Sequence, residues 1–175
     1  MKKMILVSGK SESGKDVVAD SIIAYLIANG FSAISIALGD LLKFFAIKFY
    51  GWDGKDKYTS RDLLFKVSDR IHAVDYDLIV RTISVMVDTI REEYDYVIIS
   101  DIRFKNEYCY LTEKYNCVTI RVEREGYKNS MSEEQRNNIS EVDLDNIDFD
   151  YYINKTKLSE KYEQTYHVLE EILNG

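Results

Sequence analysis

Eight residues near the start of the chain, Gly9-Lys10-Ser11-Glu12-Ser13-Gly14-Lys15-Asp16, limit its fold more than any other feature. They follow the apolar run Met4-Ile5-Leu6-Val7. They open a helical pattern in which Val18, Ile22, Tyr25 and Leu26 share a face and Asn29-Gly30 supplies a stop signal. A Gly-x-x-x-x-Gly-Lys spacing between strand and helix is the Walker A pattern. A loop with few Cβ atoms turns successive backbone N–H groups around a phosphate, the lysine adds a mobile cation, and the next helix presents its positive end. A flexible Gly/Ser turn with a stray lysine is the plainer alternative, and the flanking strand and helix count against it. Gly9, Lys10, Ser11, Glu12, Ser13, Gly14, Lys15, Asp16 and Val17 are therefore the expected nucleotide-binding residues. One letter departs from the pattern, because Asp16 stands where Ser or Thr ordinarily helps hold Mg²⁺. A carboxylate there suits the helix dipole but repels phosphate unless a divalent cation lies between them, so strong metal dependence is expected.

Strand-like runs recur at residues 4–8, 33–37, 96–100, 118–122 and 151–154. Helical patterns fall around 15–29, 40–50, 61–73, 77–93, 104–115 and 158–173. Alternation of this kind predicts a three-layer α/β fold, with a five-stranded parallel sheet flanked by crossover helices. Ligands of such sheets bind at the carboxyl ends of the strands, where Ser8-Gly9, Leu38-Gly39-Asp40, Ser100-Asp101 and Arg124 would emerge around one crevice. Two segments break the rhythm. Residues 50–58 are polar and contain glycine, and residues 126–146 are charged and amide-rich with little apolar periodicity. Each reads as a moving flap or a solvated loop, and the second also as partly disordered.

With 175 residues and 46% hydrophobic content, the chain is long enough for one sizeable core and short for two domains, so one domain over 1–175 is expected. The net charge of −7 argues against a nucleic-acid polymer or an anionic membrane as partner. Cys109 and Cys117 form no Cys-x-x-Cys pair and read as reduced packing residues, and the N-terminal apolar run is far too short for a signal peptide or a membrane span. The expected location is the cytoplasm.

Phosphoryl transfer needs more positive charge than one lysine can supply. Lys43, Arg61, Arg70, Arg103, Arg121, Arg124 and Lys128 are the candidates, each with a solvated surface role as the alternative; Arg103 and Arg124 lead because they follow strands. Asp101 reads either as a metal- or substrate-orienting carboxylate or as the N-cap of the helix after it. Arg103 and Glu107, four apart, read alternatively as a surface ion pair. His72 and His167 have no partner pattern suggesting catalysis.

Gly-x-x-x-Ser-Gly-Lys-Asp resembles the phosphate loop of the phage-type deoxynucleoside monophosphate kinases and their bacterial relatives, and a similar Gly-Lys-Asp occurs in animal phosphomevalonate kinases. Leu38-Gly39-Asp40-Leu41-Leu42-Lys43, Arg61-Asp62-Leu63-Leu64 with Asp69, and Asp101-x-Arg103-x-x-x-Glu107 are similar to further segments of that family. So are Arg124-x-Gly126-x-Lys128, Ile139-Ser140-Glu141 and Tyr151-Tyr152-Ile153-Asn154. The resemblance implies a P-loop NTPase fold with a short lid over roughly residues 125–146. It implies transfer of the ATP γ-phosphoryl to a deoxynucleoside 5′-monophosphate with Mg²⁺. Lys15, Arg103 and Arg124 would then be catalytic, with Asn154 near the donor base. Lys43, Arg61, Asp101, Arg103, Glu107 and Lys128 would bind the acceptor, and Asp16 and Asp101 the metal. The implied partners are ATP and a nucleoside monophosphate, with a homodimer left open. Departures from the family pattern are Ser68 in place of a glycine, a tryptophan replaced near Leu78, and Asn138 in place of a histidine. A phosphomevalonate-like acceptor and a non-catalytic NTP-binding regulatory module are the alternatives.

Overall fold

Met4, Ile5, Leu6 and Val7 have no accessible surface, as a nearly unbroken apolar strand covered on both faces requires. In the computed structural model, which describes residues 3–56, 60–127 and 129–174, they form the body of β1 (Lys3–Ser8). β1 is the middle strand of a five-stranded sheet with β2 (Ala33–Ala37), β3 (Tyr96–Ile102), β4 (Cys117–Val122) and β5 (Tyr151–Ile153). The order is β2-β3-β1-β4-β5, and every neighbouring pair is parallel. The helices are α1 (Lys15–Ala28), α2 (Leu38–Tyr50), α3 (Arg61–Val74), α4 (Leu78–Ile90), α5 (Lys105–Lys114), α6 (Glu133–Arg136), α7 (Ile139–Val142) and α8 (Leu158–Asn174).

The strand period of two sends alternate side chains to opposite layers. Met4, Leu6, Val97 and Ile99 pack with residues of the α2–α5 side such as Leu38, Val67, Val80, Ile83 and Leu111. Ile5, Val7, Ile98 and Ile120 pack with Val18, Ile22 and Leu26 of α1 and with Val168, Leu169 and Ile172 of α8. Each fully buried large aliphatic side chain contributes roughly 1.5–3 kcal/mol, so these two layers are the main support of the fold. The three-layer α/β arrangement matches the one predicted from alternation. Element ends move by a few residues: β3 runs on to Ile102, β5 stops before Asn154, and α4 ends at Ile90.

The larger difference lies in the β4–β5 connection, read from sequence as a loop with little periodicity. It carries the short helices α6 and α7, each with a side-chain cap at its start. Ser132 accepts from Gln135 N, and Asn138 accepts from Ser140 N. Caps of this kind act over three residues and leave no trace in an apolar-period reading. Residues 57–59 of the other irregular segment lie outside the described residues. Both cysteines are free thiols. Among the described residues, no helix is long and apolar enough to cross a membrane.

Because all five strands are parallel, their carboxyl ends lie on one edge of the sheet. At that edge β1 and β3 pair in step from Lys3↔Tyr96 to Val7↔Ser100, after which Ser8 pairs with Ile102 and Asp101 is skipped. Asp101 takes a left-handed φ of 63° at this bulge. A bulged residue re-aims its side chain, and here that side chain carries a carboxylate.

Candidate active site

The turn between β1 and α1 is built from backbone of alternating hand. Glu12 has φ 64° and Gly14 φ 89°, both left-handed, while the Ser13 N–H donates to the Lys10 carbonyl at 3.1 Å. Alternation of this kind gathers amides into an anion-binding concavity. Among the described residues no side chain caps α1, so its first N–H groups are open to the cavity. Gly9 is required by close approach, since a Cβ there would lie 2.6 Å from the Val122 carbonyl oxygen.

The loop opens into a cavity of about 650 Å³ that brings together Lys15, Asp16, Lys43, Arg61, Asp101, Arg103, Glu107 and Arg124. Lys15 is 7% exposed, and its ammonium lies 3.3 Å from Asp101 Oδ1. Arg103 Nε donates to the same oxygen at 2.8 Å. Burial would raise the Asp101 carboxyl, but Arg103 and Lys15 overcome it and hold the group well below the usual carboxylate range. Lys15 is itself pushed down, by burial first and by Arg103 second. Burial likewise opposes the Arg103 charge, and Asp101 and Glu141 hold its pKa raised. Gly39 makes this packing feasible, because a Cβ there would collide with Asp101 Oδ2.

Glu107 does not pair on the surface with Arg103. It is 3% exposed, and its carboxylate accepts the backbone N–H groups of Arg103 at 2.8 Å and Phe104 at 3.0 Å. Glu107, not Asp101, therefore satisfies the start of α5, while the Arg103 guanidinium turns away to Asp101 and Glu141. Burial pushes Glu107 up to about 7 against those two donors.

The β4–β5 connection is fastened to the loop by polar contacts across more than a hundred residues. Ser11 donates to Glu141 from its N–H and from its hydroxyl, each at 2.8 Å, and Glu141 also pairs with Arg103. Lys10 pairs with Asp145 at 2.6 Å. Glu12 accepts from Ser130 N at 3.0 Å, Tyr127 Oη at 3.0 Å, Arg61 at 3.2 Å and the Ser130 hydroxyl. Burial works against the Glu12 charge, yet these donors hold its pKa at about 2. Arg124 donates to the Glu12 carbonyl at 3.2 Å and lies 3.6 Å from the Tyr127 ring centroid.

Of the cations singled out from sequence, Lys43, Arg61, Arg103 and Arg124 line the cavity. Lys43 also pairs with Asp40 at 2.7 Å, which raises its pKa against burial. Arg70 and Arg121 do not line it; Arg121 is 5% exposed and donates to Ser8 Oγ at 2.9 Å and to Asp145 at 3.0 Å. Asn154 lies beyond the end of edge strand β5, its N–H donating to Gln164, and does not line the cavity. Lys128 lies outside the described residues. Ser68 is a buried wall residue of the cavity, and Asn138 serves as the cap of α7. His72 packs edge-on against Phe104 and Tyr76.

Glu141, Tyr127 and Lys161 were not among the residues assigned to the site from sequence. Glu141 lies in the family-like segment Ile139-Ser140-Glu141 but carried no assigned role, and no local signal marks Tyr127, which donates to remote Glu12. Lys161 had one, since it falls in step with the buried face of α8.

Among the described residues, no group of three or more His, Cys, Asp or Glu is placed to hold a metal. Mg²⁺ bound to a nucleotide needs only one or two carboxylates beside phosphate and water, and the exposed Asp16 at the cavity rim fits that need. Asp101 is already committed to two cations.

No protein-family model matches the chain, and no curated protein matches it. Among solved structures it is similar to a sugar kinase from Janibacter sp. HTCC2649, with a TM-score of 0.55 and 12% identity over 97% of this chain and 95% of that one. It is also similar to shikimate kinase from Aquifex aeolicus vf5, with 14% identity over 98% of this chain and 99% of that one and a TM-score of 0.49. The first likeness, together with the strand order and the loop, shows a three-layer α/β fold of the P-loop type. At such identity it says nothing of substrate, because one fold hosts many chemistries.

Proposed function

We propose that this protein is an ATP-dependent phosphotransferase of the nucleoside monophosphate kinase type, with a deoxynucleoside 5′-monophosphate as acceptor. The observation that carries the reading is one cavity holding both an uncapped helix start with Lys15 and a second set of cations, Lys43, Arg61 and Arg103. One phosphate-bearing ligand needs the first set, and two phosphate-bearing ligands need both. The resemblance of the loop and of Asp101-x-Arg103-x-x-x-Glu107 to the phage-type family supports a nucleotide as acceptor. The apolar walls from Leu42, Leu64, Phe65 and Phe104 suit a flat base.

In this reading the backbone of residues 10–16 and Lys15 hold the donor phosphates. Asp16 would hold Mg²⁺, which when bound neutralises phosphate charge; Asp101 orients Lys15 and Arg103. Lys43, Arg61 and Arg103 hold the acceptor phosphate, with Glu107 fixing the backbone that presents Arg103. An ionised acceptor oxygen attacks the γ-phosphorus in line, the bond from that phosphorus to the β–γ bridging oxygen breaks, and ADP leaves with the electron pair. No side-chain base is needed, so catalysis is positioning and charge neutralisation. Arg124 closes over the transferring group, and residues 125–146 act as a lid that excludes water. Residues 1–175 would form a single domain, and a cytoplasmic location suits its substrates.

An ADP-release assay with ATP, Mg²⁺ and a panel of phosphorylated acceptors tests this reading. Stimulation by a deoxynucleoside monophosphate is expected. Stimulation by phosphomevalonate alone would move the acceptor to another class, and nucleotide binding with no stimulation by any acceptor would leave a regulatory module.

A further inference from the structure

Lys161 lies on the buried side of its helix. The inner face of α8 runs Lys161, Thr165, Val168, Leu169 and Ile172, so an ammonium stands where the helical period calls for an apolar residue. The residue is 3% exposed. Its Nζ donates to the Ser13 carbonyl at 2.5 Å and to the Glu123 carbonyl at 3.4 Å. A Cβ added to Gly14 would come within 3.0 Å of Nζ, so the ammonium rests directly against the phosphate-loop backbone.

Among the described residues, no carboxylate pairs with this ammonium. Burial depresses its pKa, and the neighbouring Arg124, a charge of the same sign, depresses it further. Buried charges are ordinarily matched by an opposite charge, because desolvation is costly. The Ser13 hydroxyl is also buried and, among the described residues, has no hydrogen-bond partner. A buried cation matched by no carboxylate, seated on the Ser13 carbonyl behind a loop whose Gly14 and Lys15 face the cavity, points to an anion on the far side of that loop.

We infer that Lys161 is a positioning residue for the donor nucleotide, fixing Ser13-Gly14 from behind and adding a second positive charge to the field the polyphosphate meets. The inference rests on ATP as donor but not on the identity of the acceptor. It explains why a lysine occupies a core position of α8: in a setting partly shielded from water, its charge is screened less than a surface charge. The role is separate from that of Lys15, which comes from the loop itself and faces Asp101.

Three substitutions test it. Lys161→Met keeps the stem and removes the charge, Lys161→Gln keeps a neutral N–H donor, and Lys161→Arg keeps the charge. Calorimetry with ATP and Mg²⁺ is expected to read about tenfold weaker binding or more for the Met and Gln forms, with most of it recovered by Arg. KM for ATP should rise in parallel, while KM for the acceptor should move by less than about twofold. A role limited to holding the Ser13 carbonyl predicts instead that Gln restores binding, and that result overturns the inference. Should the Met form not fold, the Gln and Arg forms decide alone. Wild-type protein that takes up no ATP sinks the donor reading and this inference together; wild-type uptake with undiminished uptake by the Gln form sinks only the inference.

Discussion

The turn from β1 into α1 and the connection from β4 to β5 meet across the same cavity, yet they are built on different physics. The first is held by its own neighbours: a fully buried strand, glycines placed for close approach or left-handed backbone, and a helix that packs on the sheet. The second contributes little to the core beyond Met131, Leu144 and Phe149. Polar contacts fasten it, with Glu141 on Ser11 and Arg103, Asp145 on Lys10 and Arg121, and Ser130 and Tyr127 on Glu12. An element tied down by exchangeable hydrogen bonds opens at lower cost than one packed in a core. The contrast is between a turn locked into the core and a cover held by polar contacts.

The sharpest way to break this contrast is at Lys15. Lys15→Met should lower phosphoryl transfer by roughly a hundred- to a thousandfold, as expected for one preorganised charge at a reacting phosphate. The melting temperature should fall only modestly, because Arg103 still pairs with Asp101 and the cost of burying the ammonium is removed. A large fall in melting temperature would mean that Lys15 supports the fold rather than the ligand.

Glu141→Ala tests the fastening of the cover. Arg103 and the Ser11 N–H would lose a buried partner, so a loss of about 3 kcal/mol in stability is expected from denaturant melts. Amide exchange should accelerate over residues 129–146 and stay slow in β1. Uniform acceleration through the sheet would show that the two regions are not separable.

Glu107 offers an effect of similar size that depends on pH. Its folded-state pKa, about 7, lies above the ordinary 4.5, so the folded protein binds the extra proton. The resulting stabilisation is complete below about pH 4.5 and is lost as pH rises through about 7. The stability of wild type relative to Glu107→Gln should therefore fall by roughly 3 kcal/mol at most across that window, at about 1.4 kcal/mol per pH unit. A flat difference would mean that Glu107 stays ionised throughout. Ser130→Ala should have the smallest effect: about 1 kcal/mol, faster amide exchange at residues 129–131, and more ATP hydrolysis without acceptor relative to transfer.

Much of the rigid half was legible in the chain because its determinants are local and periodic. Met4 to Val7 announce a strand, Gly9 to Lys15 the turn that follows it, and Val18, Ile22 and Leu26 the helix face that packs on the sheet. The placement of Arg103 and Arg124 at one cavity followed from the parallel sheet, whereas nothing in the sheet pattern separated Lys43 and Arg61, which line it, from Arg70 and Arg121, which do not. The partners of Arg103 and Glu107 did not follow from it. A spacing of four suggests an ion pair, but burial at the start of α5 favours giving the Glu107 carboxylate to two backbone amides and leaves the guanidinium to Asp101 and Glu141.

From the order of its residues alone this chain determines a parallel α/β sheet with a Walker A turn at the end of β1, since hydrophobic periodicity and glycine placement act within a few residues of themselves. Only the tertiary structure decided which charges neutralise one another. It set Asp101 at a bulge between Lys15 and Arg103, brought Glu141 of the cover onto Ser11 and Arg103 and Ser130 and Tyr127 onto Glu12, and slid Lys161 behind the loop. Those pairings depend on distance in space between residues far apart in the chain, and a charged side chain carries no mark in sequence of the partner it will meet.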